Sequence, residues 1–196
     1  MQLLLFLITS YLLGSIPFGV IVAKFFKIDI TKYGSGNIGA TNVLRTLGAL
    51  PGLIVLLLDL LKGTLAACLG MLFLKDAALV VLCALAVVLG HMFSIFIGFK
   101  GGKGAAVGLG ILLAIAPDVF IITAILVITI IAITRYVSLA SIIGPIFAVA
   151  LMLLFKKPTP YILATVAVSA LMIYKHIPNI KRLMAGTERK VGETNG

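Results

Sequence analysis

Residues 51–74 read Pro-Gly-Leu-Ile-Val-Leu-Leu-Leu-Asp-Leu-Leu-Lys-Gly-Thr-Leu-Ala-Ala-Cys-Leu-Gly-Met-Leu-Phe-Leu. A helical bilayer crossing takes about 20 apolar residues at 1.5 Å rise each. This stretch supplies them, interrupted only by Asp59 and Lys62, which stand three residues apart and therefore share a helix face. Isolated charges at that depth would cost about 2.5–3.5 kcal/mol each on insertion scales, so the pair is expected to face the bundle interior and each other. A second role, as a distal charge shell orienting a basic residue of a site, stays open.

Working outward, six further apolar segments cover residues 2–24, 77–97, 105–116, 119–134, 137–155 and 159–174. With a mean hydropathy of +1.26 and only 11% charged residues, a soluble domain is excluded. The pattern predicts an all-α, polytopic membrane helical bundle of about seven transmembrane helices, a single membrane-embedded domain over residues 1–196. The segment from Leu3 lacks a clear cleavage site and reads as a retained first helix. Segments 105–116 and 119–134 are short for a crossing; they predict either irregular backbone around a polar cavity or a locally thinned bilayer.

The net charge of +10 is not gathered in a basic domain or tail, which argues against nucleic acid and for anionic lipid heads or anionic substrates. With the N-terminus placed outside, twelve of the sixteen Lys and Arg residues fall at inner span ends and loops and three at outer ones. That bias predicts an outside N-terminus and a cytoplasmic C-terminus. Cys68 and Cys83 lie within spans without a CxxC partner and read as small apolar residues.

Two Gly-rich basic segments then share the inner face. The first runs Tyr33-Gly-Ser-Gly-Asn-Ile-Gly-Ala-Thr-Asn-Val-Leu-Arg45, the second Gly98-Phe-Lys-Gly-Gly-Lys-Gly-Ala-Ala106. Glycines let backbone N–H groups approach an anion, and Ser35, Asn37, Thr41, Asn42 and Arg45 add polar and charged donors. A plain inner loop would also carry turn residues, but not so many small polar groups with so few long charged ones. The second segment is not a Walker A loop, because Ala105 stands where a hydroxyl is required. Lys103 nonetheless precedes a short helix whose N-terminus is a natural anion seat. The bland alternative is a membrane anchor with a Gly hinge.

Past the last span, Tyr174-Lys-His-Ile-Pro-Asn-Ile-Lys-Arg-Leu-Met-Ala-Gly-Thr-Glu188 reads alone as an amphipathic interfacial tail. If helical, His176 and Asn179 share a face. Ser141 lies near the inner end of the sixth segment, and His91 near that of the third. Metal-ligand spacing, a GxSxG elbow and a His-x4-Asp pattern are all absent from the sequence.

Taken in order, these segments resemble the bacterial membrane acyl-phosphate:glycerol-3-phosphate acyltransferases. The matching residues are Gly34 to Asn42 with Arg45; Gly90-His91 with Phe99 to Gly104; and His176 with Asn179 to Leu183, Gly186 and Glu188. The run Asp59, Lys62, Gly63 is similar as well, whereas the family usually carries Pro where Ser94 stands.

The resemblance implies an enzyme that moves an acyl chain from acyl phosphate to the 1-hydroxyl of glycerol 3-phosphate, giving lysophosphatidic acid and inorganic phosphate. That is the first acylation of phospholipid biosynthesis, at the inner membrane of a bacterium. The expected partners are acyl phosphate, glycerol 3-phosphate and the lipid bilayer, with no cofactor, no metal and no nucleic acid. Lys103, Arg45, His176 and Ser35 are the expected catalytic residues. Ser141 and Asn179 are expected to help hold the acceptor; Gly36, Asn37, Gly39, Thr41 and Asn42, with Gly101, Gly102 and Gly104, to cradle the donor phosphate; and Arg182 and Glu188 to complete the substrate-binding set. A transporter of organic phosphates and a lipid-binding scaffold are the rivals. The first should show polar groups along a through-path, and the second needs no Gly-rich loops.

Overall fold

A computed structural model describes residues 2–192, which form ten α-helices and two short 3-10 turns, with no strand among them. Five apolar helices are long enough to cross a membrane. The first spans Gln2–Phe25 and consists of α1 (Gln2–Ser15) and α2 (Phe18–Phe25), separated at Pro17, which has no N–H to continue the ladder. The others are α4 (Ala49–Leu74), α5 (Ala77–Met92) with its extension to Ile97, α7 (Pro117–Thr134) and α8 (Val137–Leu154). The final apolar helix, α9 (Thr159–Lys175), counts as a sixth only together with α10 (Ile177–Met184), from which it is bent by 57°.

The segment at 105–116 does not reach the length of a crossing. It forms α6 (Ala105–Ile115), 11 residues long, which is about 17 Å at the α-helical rise and roughly half the hydrocarbon thickness. Gly104, with φ +86°, turns the chain into it, and Pro117 starts the next helix. A half-length helix survives because its polar N-terminal end meets other protein segments rather than lipid.

Close backbone approach holds α6 against α4. A Cβ on Gly110 would overlap the Leu60 carbonyl, and one on Gly63 would overlap that of Val107. Helix association in lipid relies on such contacts, because apolar burial gives little drive there. Gly14 and Gly90 play the same part between α1 and α5. Between these pairs Val80, Val87, Val88, Met92, Val107, Val119 and Met152 form the main core. A second cluster, with Val22, Ala23, Ile30, Val43 and Val55, seats the chain after α2 and the helix α3 (Ala40–Leu47) against α4.

The buried charges face inward, as their spacing predicts. Lys62 Nζ lies 2.9 Å from Asp59 Oδ1 and donates to the Ile16 carbonyl at 3.0 Å, beside the break between α1 and α2. Ser94 ties the same region together, its hydroxyl donating to the Ser15 carbonyl at 2.5 Å, while Tyr11 donates to the Phe93 carbonyl at 2.7 Å.

Gly110→Ala forces α4 and α6 apart. The expected cost is about 1–3 kcal/mol, the usual scale for overpacking, read as a lower thermal midpoint of the detergent-solubilised protein.

Candidate active site

At the end of the bundle where α6 begins, the loop after Ile97 folds back along α5. Phe99 N–H donates to the Ser94 carbonyl, Gly101 N–H to that of Met92 at 3.1 Å and Gly102 N–H to that of His91 at 3.0 Å. Gly101 is required there because a Cβ would overlap the His91 carbonyl. The loop thereby delivers Lys103, half-buried, to the N-terminus of α6. Its amine donates to Asn179 Oδ1. The sequence expectation of a lysine beside a short helix start is met.

The bend between α9 and α10 supplies the facing residues. His176 sits in the bend and Pro178 opens α10, where a missing N–H does no harm. His176 Nδ1 lies 2.7 Å from the Met172 carbonyl. A carbonyl only accepts, so this nitrogen carries the proton and Nε2 presents its lone pair. Burial pushes the imidazole down to about 4, the Met172 bond opposing and the Lys103 charge reinforcing that shift. His176 is therefore neutral at physiological pH.

Asn179 follows one turn later, its Nδ2 donating to Glu188 Oε1 at 2.7 Å. Arg182 Nε donates to the other carboxylate oxygen at 2.6 Å. Burial by itself would raise the Glu188 carboxyl; the bonds from Asn179 and Arg182 outweigh it and hold the group below its ordinary value. Burial and the Arg182 charge lower Lys103 to about 8, with Arg45 and Lys175 adding to the effect and Glu188 opposing it. One carboxylate thus stands among several cations, an arrangement suited to receiving anions.

The first Gly-rich segment is less loop than its composition suggests. Gly34 and Gly36 turn with φ of +60° and +69°, but α3 starts directly after Gly39 and takes Thr41, Asn42 and Arg45 into a helix. Asn42, expected to face a phosphate, is buried and committed within the loop. Its Oδ1 accepts from Ser35 N–H at 2.9 Å, and its Nδ2 donates to the Tyr33 and Ile30 carbonyls. It shapes the segment rather than reaching out of it. Ser35 Oγ accepts from Asn37 N–H at 3.4 Å and bonds to none of Lys103, His176 or Asn179. Arg45, in the last turn of α3, links this segment to the rest by donating to the Arg189 carbonyl at 2.8 Å.

An apolar groove with a cavity volume of about 60 Å³ lies between α6, α7, α8 and α9. Ala105, Gly108, Gly144, Thr165 and Met172 are among its walls, with Ser141 in the lining. Ala105 follows Gly104 directly and Met172 carries the His176 bond, so the groove adjoins the polar site.

Two contributions were not read from the sequence: the Arg189 carbonyl on Arg45, and Lys175, whose amine donates to the Met92 carbonyl at 3.3 Å and lies 4.8 Å from the centre of the Phe93 ring. Position at an inner span end marked Lys175 and nothing more; a carbonyl leaves no mark at all. No cluster of His, Cys, Asp and Glu suited to a metal ion occurs among the described residues.

Comparison with known proteins matches residues 4–186 to the family model described as glycerol-3-phosphate acyltransferase. The chain is 48% identical over 191 residues to glycerol-3-phosphate acyltransferase 2 of Moorella thermoacetica, covering 97% of this chain and 98% of that one. It is 42% identical over 191 residues to the glycerol-3-phosphate acyltransferase of Aquifex aeolicus, covering 97% and 100%. Among solved structures it is similar to PlsY, an integral membrane glycerol 3-phosphate acyltransferase, in its glycerol 3-phosphate form (TM-score 0.94, 41% identity, 98% and 96% coverage) and in its lysophosphatidic acid form (TM-score 0.92, 41% identity, the same coverage).

Glu188→Ala leaves the Asn179 amide and Arg182 guanidinium without their acceptor. Each such loss costs about 1–3 kcal/mol, so the expected result is a clear drop in thermal midpoint, with Lys103 titrating lower still for want of its one opposing charge.

Proposed function

The chain belongs to the glycerol-3-phosphate acyltransferase family, and from that premise we propose that it transfers an acyl chain from acyl phosphate to the 1-hydroxyl of glycerol 3-phosphate. The products are lysophosphatidic acid and inorganic phosphate. The observation that carries this reading is the apolar groove adjoining the Lys103, Arg45, Arg182 and His176 cluster. A donor with a fatty tail and a phosphate head would set its head among the cations and run its tail out along the groove toward lipid. Acyl-CoA and acyl carrier protein are not the direct donors in this reading.

Lys103, Arg45, Ser35, Ser141 and His176 hold the glycerol phosphate, and Asn179 orients its hydroxyls. Gly39 and the Lys103–Gly104 backbone receive the donor phosphate; the N–H groups of Gly36, Gly101 and Gly102, expected to do so, are already bonded to the Tyr33, Met92 and His91 carbonyls and instead shape the two loops. The 1-hydroxyl oxygen attacks the acyl carbonyl carbon, that C–O bond forms, and the bond from the same carbon to the phosphate oxygen breaks. Negative charge grows on the carbonyl oxygen and then on the leaving phosphate, where fixed cations and N–H dipoles stabilise it. Holding both reactants in near-attack geometry lowers the entropic part of the barrier.

No acyl-enzyme is involved. The hydroxyl proton passes to an oxygen of the donor phosphate. His176, neutral with Nε2 as acceptor, aligns that hydroxyl; a basicity near 4 makes it a poor proton store. The site lies on the cytoplasmic face of the cell membrane, with the N-terminus outside and the C-terminus inside, in keeping with the positive-inside charge bias.

The test is the purified protein with acyl phosphate and glycerol 3-phosphate, monitored for lysophosphatidic acid and phosphate, beside a parallel reaction with acyl-CoA. Equal turnover with acyl-CoA would refute the donor assignment, and a trapped acyl-protein would refute direct transfer. Lys103→Ala should depress kcat/KM by about 10²–10³, the scale of losing one transition-state charge contact.

The pH profile follows from the same groups. Lys103 binds phosphate as a cation, and its free amine deprotonates near 8, so kcat/KM should fall as pH rises through about 8. Lys103→Arg should remove that alkaline fall. No inflection from His176 is expected near 6.5, since it stays neutral until about 4.

A further inference from the structure

Three buried polar side chains lie behind the Lys103 loop and take no part in the chemistry above: Asp59, Lys62 and His91 are 3%, 1% and 4% exposed. Asp59 and Lys62 form the ion pair of α4, and Lys62 also reaches the Ile16 carbonyl at the break between α1 and α2. His91 Nδ1 stands 3.7 Å from Asp59 Oδ1 and makes no hydrogen bond among the described residues. On its other side the ring lies against Gly102. A Cβ on Gly102 would overlap Nε2 of His91, with Cε1 2.7 Å away. Gly102 is not among the residues with a left-handed backbone, so only the ring excludes a side chain there.

We propose that His91 is a positioning residue for the 101–104 loop, its ring fixed beneath Gly102 by Asp59 and Lys62, so that the α1–α2 break and Lys103 are held in one register. The main-chain bonds from Gly101 and Gly102 to the end of α5 set the path of the loop, and the ring sets its height. Lys62 ties the same cluster to Ile16, two residues before Phe18 and α2, the helix that leads to the first Gly-rich segment. The ion pair in the span thus acts at a distance on both phosphate-facing segments. This inference rests on the reading of the 101–104 loop as part of the phosphate site.

A ring that is fixed and a ring that is free behave differently when Gly102 gains a methyl group. A free imidazole swings aside and Gly102→Ala is silent. A fixed one pushes the loop away, and displacing a reacting group by about 1 Å can cost on the order of 100-fold. The experiment is a double-mutant cycle on the full chain in detergent, with His91→Ala, Gly102→Ala and both together. Two readouts are taken: kcat and KM for glycerol 3-phosphate, and hydrogen exchange of the 98–106 segment.

The expected result is a fall in kcat/KM in each single variant, with faster exchange confined to 98–106 in His91→Ala. The double variant should be no worse than Gly102→Ala, because the methyl group then occupies the space the ring vacates. His91→Gln, which keeps length and polarity, should recover part of the loss. A silent Gly102→Ala, losses that multiply in the double variant, or unchanged 98–106 exchange in His91→Ala would each overturn the proposal. Should His91→Ala fail to fold, Gly102→Ala alone decides between a fixed and a free ring. Exchange is measured without substrate, so it judges the loop independently; absence of acyl transfer by the unaltered protein would strike the functional reading instead.

Discussion

One carboxylate keeps the cations of the site in place. Glu188 accepts from Asn179 and Arg182, Asn179 in turn receives Lys103, and the adjoining Arg189 carbonyl takes Arg45. Four separate parts of the chain meet through these bonds: α3, the 98–104 loop, α10 and the segment that follows it. Without Glu188 the cations among them would repel one another. Lys103 is depressed first by burial and then by the neighbouring Arg182, Arg45 and Lys175 charges, with Glu188 alone opposing them.

The membrane imposes the remaining geometry. Apolar spans cannot be held by burial alone, so glycine-mediated contacts bring α4 to α6 and α1 to α5. A stubby α6 follows, whose N-terminus stops at the level of the cations while its sides wall the apolar groove. Polar and apolar subsites are neighbours because one short helix contributes to both.

Much of this was legible in the sequence, because the residue types that do the work are expensive in a membrane. Lys103, His176 and Asn179 stood out as polar groups beside apolar spans, Arg182 and Glu188 through the family resemblance, and the structure draws them together. Asp59 and Lys62 were legible as a pair from their spacing. What was not legible depended on partners far apart in sequence or on the main chain. Asn42 looks like any loop amide until its bonds to Ser35, Tyr33 and Ile30 are seen. The helix α3 was hidden by the glycines before it, and Gly39 proved to be its N-cap rather than part of a longer loop. The 105–116 segment shared the apolar character of the other spans, and only its length set it apart.

The position of Glu188 has a consequence for how the molecule comes into being. In order of synthesis it follows every membrane helix and every cation it binds. Until the stretch beyond α10 is made, Arg182 lacks its carboxylate partner and Lys103 the one negative charge that opposes its neighbours. The polar end of the bundle is therefore completed by a stretch of chain made after its last apolar helix.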